Sequence, residues 1–312
     1  MRSPHGALRR AAVIANPVKF PDVDLLRHQL TQVCREHGWD DPWWALTTVE
    51  DPGGTQTERA LEAGCDLVVP VGGDGTVRAV ASSLIGTDVP LGLVPGGTGN
   101  LLARNLDLPV HSRREALAVA ITGRDRRIDV GQVRAWEEDG TLHEEHFLVM
   151  AGVGMDAAVM EATDAEVKRR MGWLAYLGSA VRLSGDQPVV AGIRLDDEEL
   201  VTRKVRSVVF GNVGRVQGGM PVLPDALVDD GRLDTAIVAP RGITGWPGVA
   251  ASMLTRGSLG GQNATYHQGD RVDVRLAEPT PAQVDGDPLG RVTRMAARVL
   301  PGALTVRVRS DH

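Results

Sequence analysis

Leu67-Val68-Val69-Pro70-Val71-Gly72-Gly73-Asp74-Gly75-Thr76 is the stretch whose reading decides the fold. Apolar residues around one proline predict a short buried strand. The run stops at Gly-Gly-Asp-Gly-Thr, after which Val77, Val80 and Leu84 take up helical spacing. The order is therefore strand, glycine turn, helix. Glycines at 72, 73 and 75 allow positive φ and carry no Cβ to hold a ligand off the backbone, so N–H groups at a helix start can converge on an anion such as phosphate. Asp74 in that electropositive turn is sensible if a divalent cation lies between its carboxylate and phosphate oxygens. A tight turn whose aspartate caps the helix explains the same residues, and both readings stay open at this point.

Upstream, Ala11 to Ala15 reads as a strand ending at Asn16-Pro17, and Leu26, Leu30, Val33 and Cys34 as a helix stopped by Gly38. A strand over 43–47, a turn at Asp51-Pro52-Gly53-Gly54, a helix over 55–63, a helix over 77–85 and a strand over 91–94 follow. Strands alternating with helices predict a parallel sheet with helices on its faces. Ligands on such a sheet bind at the carboxyl ends of its strands, where Asn16-Pro17, Gly72 to Thr76 and Pro95-Gly96-Gly97-Thr98-Gly99-Asn100 all fall. Thr98 and Asn100 offer a hydroxyl and an amide to phosphate oxygens or ribose, the alternative for Asn100 being a helix cap. Thr47 and Thr48 end a neighbouring strand and add hydroxyls.

The pair Gly72-Gly73-Asp74-Gly75-Thr76 and Pro95 to Asn100, at this spacing, resembles the ATP site of the diacylglycerol kinase catalytic-domain family, which includes bacterial lipid kinases and sphingosine kinases. NAD kinases and 6-phosphofructokinases share related glycine-aspartate loops. The resemblance implies an α/β protein: an N-terminal parallel-sheet nucleotide-binding domain and a C-terminal, mostly antiparallel β domain. It implies ATP and Mg2+ as cofactors, with Asn16, Thr48, Gly72, Gly73, Asp74, Gly75, Thr76, Gly97, Thr98 and Asn100 around the nucleotide. It also implies that Asp129 joins Asp74 in a water-bridged magnesium network. The other reading of Asp129 is a surface ion pair with Arg126 or Arg127. Two departures stand out. The first loop reads Asn16-Pro17-Val18-Lys19-Phe20 where relatives have Asn-Pro-x-Ser-Gly, and Leu101 stands where many place an aspartate.

Beyond Arg114 to Ile121, a further expected helix, the rhythm changes to strands and turns. Strands are expected over 129–136, 146–150, 189–195, 200–210, 233–238, 272–276, 291–299 and 304–308, with turns at Asp139-Gly140 and Asp196-Asp197. The expected domains are 9–132 for ATP, 133–299 for a lipid substrate, and a strand in 300–312 returning to the first domain. Gly152-Val153-Gly154-Met155-Asp156-Ala157 fits the weak dinucleotide pattern without a clean βαβ unit after it, and the resemblance makes Asp156 a substrate-hydroxyl contact. Asn212, Gly218-Gly219, Pro224-Asp225-Ala226 and Asp230-Gly231-Arg232-Leu233-Asp234 follow the lipid-kinase order. By that resemblance the carbonyls of Leu227 and Arg232 and the carboxylate of Asp230 hold a structural magnesium, against an ordinary Asp-Gly hairpin from the turn alone. Val284-Asp285-Gly286-Asp287-Pro288 stands where the family reads Asp-Gly-Glu, so Asp287 becomes the general base toward a lipid hydroxyl, with Asp285 as the alternative.

Composition bounds the reading. At 312 residues, 42% hydrophobic and 24% charged, two soluble globular domains are expected. A net charge of -6 argues against a nucleic-acid binder, and with only Lys19, Lys168 and Lys204 as lysines, arginine carries the cationic work. Two cysteines, Cys34 and Cys65, suit a reducing cytoplasm. No apolar run reaches the ~18 residues of a spanning helix. Lys168-Arg169-Arg170 before Met171 to Leu177 reads as a helix packed on the second domain or as a peripheral contact with an anionic bilayer. The expectation is an ATP- and Mg-dependent lipid kinase, cytoplasmic and peripheral to the inner face of the membrane, with a lipid substrate and no nucleic-acid partner. Homodimerisation stays open. The rivals are an NAD kinase-like kinase of a soluble acceptor and a nucleotide-binding regulator without turnover.

Overall fold

The computed structural model describes residues 8–20, 22–154, 188–215, 221–240, 245, 248–249, 251–252 and 263–310. Asp156, Gly218-Gly219 and the basic segment 168–183 lie outside them. The chain divides into two compact units, Met1–Ile128 with Gly302–His312, and Asp129–Pro301.

The first unit is built on a four-stranded parallel sheet in the order β2-β1-β3-β4, with β1 Ala11–Ala15, β2 Trp43–Leu46, β3 Leu67–Gly72 and β4 Val94–Pro95. Every residue of β1 and β3 is buried, as strands covered on both faces require. Helices α1 (Val23–Glu36) and α5 (Arg113–Thr122) set Leu26, Leu30, Val33, Leu117 and Ile121 in one cluster with Val13, Val69 and Val71 of the sheet. Helix α2 (Gly54–Glu62) packs on α3 (Asp74–Leu84), whose Val80, Ala81 and Leu84 are buried, and α4 (Leu101–Asn105) follows β4. Ser112 caps α5 and Asp22 caps α1, each through its side-chain oxygen.

Two local differences have local causes. The expected strand 91–94 is reduced to Val94–Pro95 and two isolated bridges of Leu91, to Val68 and to Val306. Val68 donates to Pro90 O and accepts from Gly92 N, so two-residue alternation turns Pro70, which has no N–H, toward the same neighbour and leaves the ladder one bond short. Helix α3 begins at Asp74, ahead of the apolar spacing, because its first turn is polar and carries no periodic signal.

The second unit is built on an antiparallel sheet ordered β12-β11-β10-β7-β13-β14-β5-β6 and extended by β8 and β9. The strands are β5 Arg124–Glu137, β6 Leu142–Phe147, β7 Met150–Val153, β8 Val189–Leu195, β9 Val201–Val205, β10 Ser207–Gly211, β11 Leu233–Val238, β12 Ala264–Gly269, β13 Arg271–Val284 and β14 Asp287–Val308. Phe147, Phe210, Leu233, Val274 and Met295 centre its core. The expected strand 200–210 is two strands, broken at Arg206, and the expected strand 146–150 is divided between β6 and β7. The expected strands 291–299 and 304–308 are one, which turns at Gly302, where φ is +55°. Strand β12 is not among the expected strands, because Ala-Thr-Tyr-His-Gln-Gly carries no apolar alternation. Residues 302–308 belong to the first unit, where Leu91 N donates to Thr305 O and Arg307 N to Leu91 O.

Candidate functional site

The carboxyl ends of β1, β2, β3 and β4 open into a cleft of about 480 Å³ lined by Asn16, Lys19, Thr48, Val49, Pro52, Gly73 to Thr76, Gly97 and Thr98. The loop after β1 is a hydrogen-bonded turn. Asn16 Oδ1 accepts from Val18 N at 3.0 Å, and Asn16 O accepts from Lys19 N and Phe20 N. Phe20 is buried, with the Arg113 guanidinium 5.1 Å from its ring centroid. A Cβ on Gly96 would overlap that ring, so glycine there admits the phenylalanine that replaces the family's small residue. Thr48 Oγ1 accepts from Asp51 N at 3.1 Å and closes the turn after β2.

The two glycine loops are joined through Asp74. Its Oδ2 accepts from Asn100 N at 2.9 Å and its Oδ1 from Leu101 N at 2.8 Å, so it caps α4. The sequence reading allowed a cap on its own helix. The observed cap belongs to the next loop, 26 and 27 residues on. Asn100, in the left-handed region at φ +47°, turns its side chain back on Gly97: Oδ1 accepts from Gly97 N at 3.0 Å and Nδ2 donates to Gly97 O at 2.8 Å. Both Asp74 and Asn100 thus shape the loops. A Cβ on Gly97 would stand 2.8 Å from Gly73 Cα, and one on Gly99 would overlap the Asp74 carboxylate.

This cradle fits a nucleotide's phosphates. The first amides of α3, at Asp74, Gly75 and Thr76, have no intrahelical acceptor, and the helix has no side-chain cap. They converge beside the Thr98 and Thr48 hydroxyls and the Lys19 ammonium. Gly72 and Asn100 do not line the cleft: Thr76 packs over Gly72, and Asn100 is buried behind the loop. Lys19, which stands in the first loop where relatives carry a small residue near phosphate, lines it, as do Val49 and Pro52, to which the resemblance assigns nothing. Among the described residues there is no group of three or more His, Cys, Asp or Glu side chains placed to hold a metal ion. Magnesium at this cleft fits only the mode in which one carboxylate, here Asp74, supplements phosphate and water oxygens.

The remaining candidates belong to the second unit. Asp129 N donates to Val228 O at 2.7 Å, and its carboxylate accepts from Gly231 N at 2.6 Å, which ties it to the turn holding Asp230 and Arg232. Arg127 meets Asp88 at 3.5 Å. Asp230 accepts from Arg232 N at 3.0 Å. Burial, and then repulsion from Asp129, raises its pKa against the relief of that bond. Burial pushes Asp234 up to about 6, tempered by the Gln268 amide at 3.2 and 3.3 Å from its two oxygens. Leu227 is exposed.

Asp285 and Asp287 divide sharply. Asp285 and Gly286 have φ of +49° and +93° between the paired residues Val284 and Asp287, a two-residue hairpin turn of the kind Asp-Gly favours. The Asp285 carboxylate accepts from Leu148 N, Val149 N and Met150 N at 2.9, 2.9 and 3.0 Å. A carboxylate held by three amides is a clamp and a poor base. Asp287, one residue past the turn, is exposed.

Comparison with known proteins gives two family matches. The family described as "Diacylglycerol kinase catalytic domain" matches residues 10–133, and "YegS C-terminal NAD kinase beta sandwich-like domain" matches residues 149–308. A "Probable lipid kinase YegS-like" of Chromohalobacter salexigens is 32% identical over 82% of this chain and 81% of its own length. A "Diacylglycerol kinase" of Bacillus subtilis is 27% identical over 90% of each chain. A crystal structure of a diacylglycerol kinase from Bacillus anthracis str. Sterne shares the fold, with TM-score 0.74 over 99% of each chain at 22% identity.

Proposed function

The chain belongs to the diacylglycerol kinase catalytic-domain family of lipid kinases, and from that premise we propose that it is an ATP- and Mg-dependent kinase of a lipid hydroxyl. The observation that carries this reading is the pair of glycine loops joined by Asp74 at the cleft where the unpartnered amides of α3 converge. Those amides, with Thr98 and Lys19, grip the phosphates, while Asp74 and Asn100 hold the loops in register. Bound magnesium would neutralise phosphate charge, and Asp74 would be its protein ligand. In the transfer, a bond forms between the acceptor oxygen and the γ-phosphorus as the β–γ anhydride bond breaks. ADP leaves, and the hydroxyl proton goes to Asp287. Such a reaction rests mostly on alignment and charge neutralisation.

The acceptor is a diacylglycerol-like or sphingoid-like alcohol met at the inner face of the membrane. Among the described residues no helix is long and apolar enough to cross a bilayer. The test is transfer of labelled γ-phosphate to a total lipid extract, with product read by mass. Labelled lipid from the parent, and about 100-fold less from Asp287→Asn at unchanged nucleotide affinity, is the expected result. Nucleotide binding with no labelled lipid would favour the regulator, to which Leu101 and the shortened Asp287 point. Label on a soluble acceptor alone would favour the NAD kinase-like reading.

A further inference from the structure

One face of the second unit carries more positive charge than its own carboxylates neutralise. Val272 and Val274 of β13 and Met295, Ala297 and Val299 of β14 enter the core, so two-residue alternation turns Arg271, Asp273 and Arg275, and Arg294, Ala296 and Arg298, outward. In β8, Ala191 and Ile193 are core residues and Arg194 faces outward with them. The register sets Arg271 directly opposite Arg298 and Arg275 directly opposite Arg294, with Asp273 opposite Ala296 between them. Like charges opposed across a ladder destabilise it. Two such pairs, one on each side of Asp273, therefore need countercharge, which the carboxylates of this face supply only in part.

Asp273 binds the centre of this square. It lies 3.1 Å from Arg194, 2.9 Å from Arg294 and 3.6 Å from Arg275. Asp197 holds Arg271 at 3.0 Å, and Arg298 meets the neutral Gln132. Among the described residues, five arginines thus face the carboxylates of Asp273 and Asp197, with Asp196 held on the Arg271 backbone amide at 2.8 Å. The side chains stay open to solvent, at 45% for Arg194, 59% for Arg271, 54% for Arg275 and 40% for Arg294. In a chain of net charge -6 this runs against the overall sign.

The cations have apolar neighbours. Arg294 stacks 4.6 Å from the Trp136 ring centroid. Val190, outward on β8, is 38% exposed, and Leu200, 47% exposed, lies over Gly192 on the same side. Lys204 is paired with Val190 in the β8–β9 ladder and shares its face.

We infer that this face docks on an anionic phospholipid bilayer, with the arginines on headgroup phosphates and Val190, Leu200 and Trp136 in the interface. The arginine fork matches phosphate geometry, and apolar side chains beside cations suit a surface with acyl chains under its headgroups. The inference deepens the lipid-kinase reading, and rests on it for the choice of a bilayer over another polyanion.

The full chain is tested by co-sedimentation with phosphatidylcholine vesicles, with and without about 30 mol % phosphatidylglycerol. The expected result is strong binding only with phosphatidylglycerol, lost near 0.5 M salt, where the Debye length is only about 4 Å. Arg271→Ser/Arg298→Ser should lower the partition coefficient about tenfold or more, and Arg275→Gln about fivefold, with melting curves confirming the fold. Equal binding to both vesicle types overturns the inference. So does parental binding by either folded variant, or tighter binding to duplex DNA than to the anionic vesicles at equal salt. Anionic-vesicle binding that follows the arginines while no lipid is phosphorylated sinks the kinase reading and leaves the docking face standing.

Discussion

At the scale of single residues, Asp74 is both the pivot of the cleft and a structural bracket. Its two bonds to the backbone of Asn100 and Leu101 predict that Asp74→Ala loses about 2–4 kcal/mol of stability in urea titration without any ligand, and Asp74→Asn, which keeps one acceptor oxygen, less. A carboxylate present only for metal would leave the ligand-free midpoint unchanged or raise it. Gly97→Ala must push against Gly73 Cα, so its nucleotide affinity should fall at least tenfold while stability drops by only about 1–3 kcal/mol, read by calorimetry and melting. The cysteines predict the opposite of function. Burial and then Asp41 push Cys34 up to about 11, and burial raises Cys65, so both should react with a disulfide reagent only on unfolding. The residue types at the cleft were legible because glycine, threonine and aspartate at a strand end have few other uses together. That Asp74 would cap α4 was not, since its partners lie in another loop.

Among the elements, the hairpin at Asp285-Gly286 decides the path of a distant segment. By drawing the amides of Leu148, Val149 and Met150 to its carboxylate, Asp285 ends β6 and starts β7, which is why a run of apolar residues that reads as one strand is two. Asp285→Ala should therefore cost about 3 kcal/mol or more in denaturant titration, whereas Asp287→Asn should cost under about 0.5 kcal/mol. Equal stability of the two variants would remove the distinction between clamp and base. Helix and strand existence was legible wherever periodicity was strong, as in α1 and β3. Element ends were not, where the deciding partner was remote or where a polar strand such as β12 had buried neighbours on its sheet.

For the whole molecule, part of the acid response follows from two half-buried histidines. Burial lowers the pKa of His146, against the Glu145 charge, and that of His267, where Arg203 adds to burial and Glu198 opposes it; His267 Nε2 is buried with no hydrogen-bond partner. Both stay neutral in the fold at a pH where the unfolded chain is already protonated. The histidine contribution is then full above about pH 6.5 and falls as pH drops toward the depressed folded values, by at most about 1.4 kcal/mol per pH unit for each histidine, while Asp234, raised to about 6, contributes with the opposite sign below that pH. His267→Gln should flatten that limb in urea midpoints taken from pH 8 to 5, and an unchanged slope would mean the ring is charged in the fold. The α/β order, the two glycine loops and the family they mark were determined by sequence alone, because chain-local chemistry specifies them: apolar period, glycine at a strand end, an acid within the turn. Which carboxylate brackets the loops, which of Asp285 and Asp287 is left exposed, and where arginines face one another across β13 and β14 were decided only by tertiary structure. Each of those depends on hydrogen bonds and registers between residues far apart in the chain, and no local pattern encodes them.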